Sequence, residues 1–432
     1  MASPEIKPFT LAIVGGGISG LVLALGLIKH KIPITIYESA AQFGEIGAGV
    51  GFEPNIVEVM ERISPGIKQG YLRINKNLKT DPPKWFDVRI SDRRKADAEG
   101  VVHIKDGKKF KLDEPVFVVL ARKGDRGGVH RAHFLDELVK LLPDGITEFR
   151  KRLVDVTEAT DGTSDAVLHF ADGTTAQHTA VIGCDGIKSR TRELVLGDKE
   201  GRPVFSGKYA YRGLIPMKKA QEFMGETQSM TPQMYCGYQG HVLTFPIANG
   251  TIMNVVAFST KEEWKDPEWV IKTSREDMLE DYKEWSQVVK NIMANMKNPD
   301  IWALFNHSPA QTFFQTKPRI CLLGDAAHAS TPHQGSGAGM CVEDAWILSE
   351  LIADVDTANG LEKAFRAFDT VRRPRDIKLV ETSRQAALLW EMEGPEGNDI
   401  DAFERNACSR MDWIWDHDNA ADLEQARVLL RE

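Results

Sequence analysis

The sequence has few cysteines and no pattern that would pair them. Five occur in 432 residues, an odd number, and no two of them are spaced as CxxC. This usage argues against a disulfide framework and is typical of proteins in a reducing compartment. We therefore expect a cytoplasmic protein.

An excess of positive charge is also missing. The chain has 54 Lys and Arg against 62 Asp and Glu, which gives a net charge of −8. This charge argues against general nucleic-acid binding and against electrostatic docking on anionic lipid. The composition, 42% hydrophobic and 27% charged, is normal for a soluble globular protein with a sizeable core.

Only one stretch is apolar enough to imitate a membrane anchor. Residues 11–28 read LAIVGGGISGLVLALGLI and approach the length of a membrane span. Five glycines interrupt this run, four of them between residues 15 and 20, no basic region precedes it, and no small-residue cleavage site follows it. We therefore predict that the chain does not span a membrane.

The same run has the pattern of a strand, a tight turn and a helix. Residues 9–14 predict a buried strand, residues 18–30 a helix, and residues 33–38 the next strand, which ends at Glu38. A GxGxxG sequence joins the first strand to the helix, and an acid at the position of Glu38 can bind a ribose hydroxyl. The pattern predicts dinucleotide binding; the alternative is a purely structural glycine turn.

The three glycines of this motif have different roles. Gly15 permits the tight turn, Gly17 lets the backbone approach a pyrophosphate, and Gly20 allows the helix to pack closely on the strand. The helix then presents unpaired N–H groups and a favourable dipole to the phosphates.

Two later strands end in an aspartate at a turn. Residues 179–195 predict a strand, a turn at Asp185 and a helix, and residues 318–328 predict a strand that ends at Asp325. Three strands that are far apart in sequence can thus end on one extended ligand, which suits FAD better than NAD. Each aspartate has a simpler alternative as a capping or turn residue.

With these motifs the sequence resembles the single-component FAD-dependent aromatic monooxygenases, and most closely their salicylate-hydroxylase-like branch. The resemblance runs from about residue 9 to about residue 417. The motifs that carry it are GGGISG, CDGIKSRTR (184–192), GDAAHASTPHQGSGAGMCVEDA (324–345), FDTVRRPR (368–375) and WIWDHD (413–418). It implies an α/β protein with the fold of p-hydroxybenzoate hydroxylase: a Rossmann-type FAD domain, a β-sheet substrate domain and C-terminal helices.

The resemblance also implies a set of cofactor residues. Asp325 is expected at the ribityl or pyrophosphate region of FAD, Arg131 and Gly49 also at the cofactor, and Asp185 near both FAD and the approach of NAD(P)H. Non-covalent FAD is expected, because no His or Cys stands in an attachment context. NADPH or NADH and O2 are the expected co-substrates.

The glycine-rich part of the 324–345 motif is expected to face the flavin ring. At Gly337, Ala338 and Gly339, small residues let backbone N–H groups approach the ring edge that becomes negative on reduction. We predict a helix from about Gly339 to Asp356 whose positive end points at this edge.

The ionisable residues of the same motif have simpler interpretations than catalysis. His328 and His333 allow a metal site, but no further ligand cluster is apparent, so none is predicted. Glu343 and Asp344 are interpreted as acids of the first helical turn rather than as catalysts.

The expected domain organisation is discontinuous. Residues 1–75, 105–200 and 310–390 are assigned to the FAD domain, 76–104 and 201–309 to the β-rich substrate domain, and 391–432 to a C-terminal helical segment. Within the substrate domain, residues 241–260 predict a hairpin with its turn at Asn249-Gly250.

Three residues of the β-rich stretch are candidates for the catalytic site. The resemblance to fungal polyketide-tailoring hydroxylases implies that Arg212 and Tyr235 hold a phenolate, and His241 lies nearby in sequence. A fixed cation favours the phenolate, which is the better carbon nucleophile towards the electrophilic oxygen of a flavin C4a-hydroperoxide. The alternatives are a structural ion pair, a core tyrosine and a strand histidine, respectively.

Three functions remain open from the sequence. The first is NAD(P)H- and O2-dependent hydroxylation of a small phenol, such as a resorcinol-type polyketide aldehyde or ketone, with or without oxidative dearomatisation. The second is a salicylate-type decarboxylating hydroxylase, and the third is a flavin-binding redox-responsive protein without turnover. A monomer or a homodimer is expected.

Overall fold

The computed structural model describes residues 7–44, 49–75, 82–163 and 165–432. Its strands are β1 (Leu11–Val14), β2 (Ile34–Glu38), β3 (Gly49–Phe52), β4 (Lys84–Ile90), β5 (Val101–Lys105), β6 (Lys108–Lys111), β7 (Pro115–Leu120), β8 (Gly127–His130), β9 (Thr147–Phe149), β10 (Leu153–Glu158), β11 (Ala166–Phe170), β12 (Thr175–His178), β13 (Ala180–Gly183), β14 (Val204–Pro216), β15 (Gln233–Gly237), β16 (Gly240–Ile247), β17 (Ile252–Thr260), β18 (Val270–Lys272), β19 (Lys297–Asn306), β20 (Phe314–Thr316) and β21 (Arg319–Leu322).

The helices alternate with these strands in the first part of the chain and dominate its end. They are α1 (Ile18–Lys29), α2 (Pro54–Ile63), α3 (Pro65–Ile74), α4 (Arg131–Val139), α5 (Arg190–Leu196), α6 (Asp198–Gly201), α7 (Met217–Met224), α8 (Glu226–Met230), α9 (Arg275–Asp281), α10 (Gln287–Asn295), α11 (Asp325–His328), α12 (Gly337–Ala353), α13 (Ala358–Trp390), α14 (Ile400–Ser409), α15 (Asp412–Trp415) and α16 (Asn419–Arg431). Among the described residues, no helix combines the length and the apolar character that crossing a membrane requires.

The first sheet has six strands in the order β20-β21-β13-β1-β2-β9. Its central strand β1 pairs in parallel with β2 on one side and with β13 on the other. All four residues of β1 and all four of β13 are buried, as expected for parallel strands covered by helices on both faces. The strand–turn–helix prediction at the N-terminal end of the chain is therefore confirmed.

The second sheet has eight strands in the order β18-β19-β14-β17-β16-β15-β4-β7. Strands β16 and β17 form the predicted hairpin, with Ile247 opposite Ile252. The turn contains Asn249 at φ 57° and Gly250 at φ 78°, two residues that tolerate this left-handed backbone conformation.

One strand of the eight-stranded sheet comes from a residue range that the sequence analysis assigned to the FAD domain. Strand β4 lies in the eight-stranded sheet, as expected for the 76–104 range, of which residues 76–81 lie outside the described part. Strand β7 also joins this sheet by pairing antiparallel with β4, although its residues fall in the 105–200 range assigned to the FAD domain. The domain boundaries themselves stay a prediction.

The helix after the glycine-rich loop, α12, begins two residues earlier and ends three residues earlier than predicted. It packs against α1, so the two glycine-rich turns of the chain lie at the same end of the first sheet. The first sheet and these helices share a single apolar core, and the eight-stranded sheet has its own. The glycine-rich turn after β1 and the eight-stranded sheet thus belong to two separately packed units.

Candidate active site

A cavity of about 2130 Å³ lies between the two units. This exceeds the few hundred to about 1000 Å³ typical of a single ligand pocket, so a cofactor and a substrate can share it. The cofactor wall is formed by Ser19, Gly49, Arg131, Asp325, Gly337, Ala338 and Gly339. The substrate wall is formed by Arg212, Met234, Leu243, Phe245, Val256, Phe258 and Trp302.

The dinucleotide turn is built around two glycines that tolerate no side chain. Gly15 has φ 109°, and a Cβ there would lie 2.3 Å from the carbonyl oxygen of Cys184. A Cβ on Gly20 would lie 2.0 Å from the carbonyl oxygen of Gly15. Gly17 is the N-cap of α1 and has no side chain to satisfy the first helical N–H groups. These groups therefore stay available to an anion such as a pyrophosphate.

Glu38 lies at the end of β2 and reaches back to the glycine turn. Its carboxylate accepts hydrogen bonds from the backbone N–H of Gly16 at 2.7 Å and of Ala40 at 2.6 Å. The acid is thus fixed beside the turn, at the place where a ribose would follow the pyrophosphate. Its contact with a ribose stays a prediction.

Asp185 has a local structural role. Its carboxylate accepts hydrogen bonds from the hydroxyls of Ser189 and Thr191 and from the backbone N–H groups of Arg190 and Thr191, at 2.6–3.0 Å. These bonds close the turn and hold the start of α5. Asp185 is not among the residues that line the cavity. The geometry therefore supports the capping interpretation that the sequence left open.

Asp325 faces the cavity as the first residue of α11. Gly324 before it has φ 65°, and a Cβ there would lie 2.3 Å from the Ser19 hydroxyl. The loop must therefore pass directly over the start of α1, which brings Asp325 to the dinucleotide turn. Arg131 at the start of α4 and Gly49 on β3 border the same space.

The glycine-rich start of α12 completes the cofactor wall. Gly337, Ala338 and Gly339 form the first turn of this helix, and all three line the cavity. A Cβ on Gly339 would approach a side-chain carbon of Ile56 to 3.2 Å, tighter than most such contacts. The N-cap, Ser336, makes no side-chain cap bond. The backbone N–H groups of the first helical turn, which borders the cavity, therefore have no side-chain partner from the cap.

The residues of the cofactor wall fit a flavin dinucleotide. Two helix N-termini face one cavity from different sides, and glycines keep its wall open at both. One terminus suits a pyrophosphate and the other suits a ring edge that becomes anionic on reduction. Arg131 adds a positive charge between them.

Of the three residues predicted for the catalytic site, Arg212 lines the cavity. It lies on β14, half-buried, with its guanidinium 4.6 Å from the centre of the Trp302 ring. Burial lowers the pKa of Arg212, and the nearby charge of Arg131 lowers it further. Its Nε lacks a hydrogen-bond partner among the described residues, so the guanidinium keeps a free donor. Among the residues that the structure describes, no carboxylate forms the ion pair with Arg212 that was the alternative.

Tyr235 lies on the opposite face of the sheet and does not line the cavity, so its predicted catalytic role has no support from this geometry and stays a prediction. Side chains alternate along β15, and its neighbour Met234 takes the cavity face. Tyr235 is fully buried in the core of the eight-stranded sheet, where its hydroxyl accepts a hydrogen bond from Gln228 at 2.9 Å. It is the core tyrosine of the alternative interpretation.

His241 also does not line the cavity, although its ring contacts two residues that do. Its ring stacks on Phe258 with centroids 4.1 Å apart and lies 5.3 Å from the ring of His333. Both neighbours do line the cavity. His241 therefore lies beside the residues of the wall, on the same face of β16 as Leu243, with its Nδ1 3.4 Å from a carboxylate oxygen of Glu391.

Sequence reasoning missed Trp302 and Glu391. Trp302 reaches the cavity because its strand, β19, pairs with β14. Glu391, which follows the last residue of α13, reaches His241 on β16. Neither residue belongs to a motif, and no local signal marks them. His333 carried a signal, since it lies in the glycine-rich loop, and it faces the cavity as expected for a residue bordering the flavin.

Glu343 and Asp344 are not first-turn acids. Because α12 begins at Gly337, they lie in its second turn, and both are fully buried. Arg372 donates to Asp344 at 2.8 Å and to Glu343 at 2.7 Å, and Arg375 donates to Glu343 at 2.8 Å. The FDTVRRPR motif thus supplies the cations that hold the glycine-rich helix against α13.

His328 belongs to the same ion cluster. Its Nε2 lies 2.7 Å from Asp344, and Asp376 lies beside both. Burial lowers the pKa of His328, but the carboxylates of Asp376 and Asp344 outweigh it and raise the pKa to about 9. These three side chains are close enough to share a metal ion, yet Arg372, at 2.8 and 3.6 Å, already supplies their positive charge.

A Rossmann-type sheet with a dinucleotide turn, and a mostly antiparallel second sheet across one large cavity, are typical of flavin-dependent oxidoreductases. The comparisons with known proteins agree. Residues 140–383 match a family model described as an FAD binding domain. The FAD-dependent monooxygenase pigN of Monascus ruber is 39% identical over 96% of this chain and 95% of its own length.

A longer relative and a solved structure place the chain in the same family. The dual trans-enoyl reductase/FAD-dependent monooxygenase tazHJ of Aspergillus terreus is 38% identical over 98% of this chain, which spans 60% of that protein's length. A salicylate hydroxylase substrate complex superposes with a TM-score of 0.82 at 33% identity, over 97% of this chain and 98% of that one. The chain belongs to the FAD-dependent monooxygenases.

Membership confirms the predicted fold, FAD as the cofactor, and O2 with NAD(P)H as the co-substrates of a monooxygenase. It also removes the third function left open by the sequence, a flavin-binding protein without turnover. The individual cofactor contacts stay predictions.

Proposed function

We propose that this monooxygenase hydroxylates a small electron-rich phenol, of the resorcinol-type aldehyde or ketone class, with or without dearomatisation of its ring. The observation that carries the proposal is Arg212. It is the cation of a substrate wall whose other members are Met234, Leu243, Phe245, Val256, Phe258 and Trp302. A fixed positive charge on such a wall favours a substrate with one anionic or ionisable oxygen on an otherwise apolar ring.

The residues of the cofactor wall would hold FAD, which, once reduced by NAD(P)H, would activate O2 so that one of its oxygen atoms can be transferred to the substrate. The chain's own residues bind, orient and dehydrate the substrate. Arg212 stabilises the phenolate form, in which the ring carbons are most nucleophilic. The plane of its guanidinium is fixed by the ring of Trp302.

The apolar side chains of the substrate wall exclude water. Leu243 and Phe245 from β16 and Val256 and Phe258 from β17 project from neighbouring strands towards the cofactor wall. Phenol ring faces pack on such surfaces, and a dry site limits wasteful breakdown of activated oxygen to H2O2. Correct placement of the reacting carbon then follows from the ring contacts and from the bond to Arg212.

The experiment is NADH and NADPH consumption by the purified yellow protein across a panel of resorcylic aldehydes, orcinol derivatives and salicylate, with product masses. We expect substrate-stimulated oxidation and a product heavier by one oxygen atom for at least one resorcinol. If all resorcinols are inert or give only H2O2, the proposed substrate class is wrong.

A decarboxylating salicylate-type reaction is the second candidate. It is supported by the 33% identity to a salicylate hydroxylase substrate complex over nearly the whole chain. Arg212 can bind a carboxylate through two parallel N–H donors as well as it binds a phenolate. Release of CO2 from salicylate, with catechol as the product, would favour this candidate over the first.

A further inference from the structure

The cavity face of the eight-stranded sheet is arranged in rows that cross β14, β17 and β16. In the first row Arg212 lies opposite Val256, which lies opposite Leu243. Side chains two residues further along a strand point to the same face of a sheet. Towards the β16–β17 turn, the second and third rows therefore consist of Leu214, Asn254 and Phe245, and of Pro216, Ile252 and Ile247. Both rows line the cavity.

The rows become more exposed with distance from Arg212 towards the β16–β17 turn. On the opposite side of the first row, Ala210, Phe258 and His241 form a row in which no residue is more than 4% exposed. In the second row, Leu214 is already 45% exposed. The cavity is therefore closed at the His241 end of this face and open to solvent at the hairpin turn.

The open end of the cavity is apolar where water reaches it. Five of the six side chains in the second and third rows are apolar. Met230 of α8 adds another, since it lines the cavity beside the hairpin turn, where a Cβ on Gly250 would approach its Cε to 2.8 Å. The charged residues Lys297 and Glu226 also line this cavity. An exposed apolar surface with charged neighbours is typical of a binding groove.

Packing of the hairpin does not account for this apolar surface. The core of the sheet lies on the opposite face, where Ile215, Met253 and Val255 alternate with the residues of the two rows and are fully buried. The hairpin is thus stabilised without Ile247 and Ile252, whose side chains stay in partial contact with water. A ligand that covers them removes apolar area from water, which favours binding.

Asn254 is the one polar side chain of the second row. It lines the cavity, and its amide forms no hydrogen bond with another described residue. Asn254 is the diagonal neighbour of Arg212 on the adjacent strand, and the Cα atoms of such pairs lie about 7–8 Å apart. An amide N–H group can donate to a neutral carbonyl oxygen, whereas a guanidinium favours an anionic one. The two residues therefore suit two different oxygens of one ligand.

We propose that the second and third rows form a subsite for an unbranched acyl chain on the substrate ring. The proposal rests on the proposed function and narrows its substrate class to acyl resorcinols with a chain longer than acetyl. With the phenolate oxygen at Arg212, Asn254 donates to the ketone oxygen and the chain lies over Ile247 and Ile252. From the first row to the third, the sheet offers about 13 Å of strand.

The test is a series of resorcinols that carry an acetyl, butanoyl, hexanoyl or octanoyl chain. Dissociation constants are measured with the FAD-loaded protein from the change in flavin absorbance without NADPH, and kcat/KM is measured from product. We expect affinity and kcat/KM to rise by about twofold to fourfold for each added CH2 group, because each group leaves water.

Variants of the third row locate the chain. Ile247→Asn and Ile252→Asn should weaken binding of the octanoyl compound by about tenfold or more, and of the acetyl compound by a smaller factor. Ile252→Leu should keep the gain with chain length, because it keeps the apolar area. Val270→Asn is the matched control, since Val270 is 42% exposed on β18 of the same sheet and is not among the described residues that line the cavity.

A variant of the second row tests the ketone contact. Asn254→Leu should weaken binding of the hexanoyl compound by about fivefold, as for loss of one hydrogen bond, and should leave the affinity for the matching hexyl resorcinol unchanged or higher. Equal effects on the acyl and the alkyl compound would remove the ketone from Asn254.

The subsite is overturned if affinity in wild type does not depend on chain length, or if Ile247→Asn and Ile252→Asn leave that dependence intact. Failure of the proposed function looks different. If affinity rises with chain length but no acyl resorcinol gives product, the hydroxylation fails and the chain subsite stands. If the acetyl compound is hydroxylated and longer chains bind no better, the hydroxylation stands and the subsite fails.

Discussion

Arginines in two regions of this protein have different surroundings. Arg372 and Arg375, behind the glycine-rich helix, are met at 2.7–3.0 Å by the carboxylates of Glu343 and Asp344. The guanidinium of Arg212, on the substrate wall, lies over the ring of Trp302 and borders the cavity. Compensated charges fix elements of structure in place, whereas a buried cation that keeps a free donor is available to a ligand.

The largest expected effect comes from removing a compensated charge. Arg372→Met leaves Glu343 and Asp344 with one cation fewer in a fully buried site, because Arg372 contacts both. We expect a loss of about 3–5 kcal/mol in the free energy of unfolding, measured by urea denaturation. Lys219→Met, which breaks an exposed pair with Glu222, should change it by less than about 1 kcal/mol. Similar losses of unfolding free energy in the two variants would show that the buried ion cluster stabilises the protein no more than an exposed ion pair does.

Removing the uncompensated charge of Arg212 should lower catalytic activity and leave FAD binding unchanged. Arg212→Ala is expected to lower product formation by on the order of 10²-fold, as for loss of one preorganised donor, while FAD content stays normal. Arg212→Lys keeps the charge but loses the planar donors, so positioning suffers and NADPH oxidation yields H2O2. Rates, H2O2 and product are measured together. Normal coupling in Arg212→Ala would remove Arg212 from the site.

The ion cluster should also make stability depend on pH. The folded-state pKa of His328 is about 9, above the usual value of 6.5, so its contribution is fully present below pH 6.5 and is lost as the pH rises through 9. We expect the free energy of unfolding to fall by on the order of 1–3 kcal/mol between pH 6.5 and pH 9. His328→Gln should flatten this dependence in denaturation curves. An unchanged slope in the variant would assign the dependence to other groups.

The smallest effect is expected on the far face of the substrate sheet. Tyr235→Phe removes one hydrogen bond, from Gln228, and should lower the free energy of unfolding by about 0.5–1.5 kcal/mol. Catalytic rates and coupling should stay within about twofold of wild type, since the side chain is separated from the cavity by the sheet itself. A large kinetic defect with normal stability would return Tyr235 to the active site.

The local motifs allowed much of the fold to be predicted. The GxGxxG turn, with its flanking strand and helix, follows from hydrophobic periodicity and from glycines that a short turn requires, and the hairpin follows from Asn249-Gly250. The pairing of strand β7 with β4 was not predicted, because it is a tertiary pairing that the sequence of β7 does not encode. The role of Asp185 was also ambiguous from the sequence, because a carboxylate at a turn can cap a helix or bind a ligand.

By itself, the sequence determined the dinucleotide turn and the flavin class, since both depend on local residue types, and the family resemblance singled out the arginine that lines the cavity. The tertiary structure alone decided which strand face Tyr235 occupies, which carboxylates Arg372 and Arg375 bind, and that Glu391 reaches His241 from a helix 150 residues away in sequence. Motifs encode backbone geometry within a few residues of one another. Burial, charge compensation and the lining of the cavity depend on which distant segments pack together.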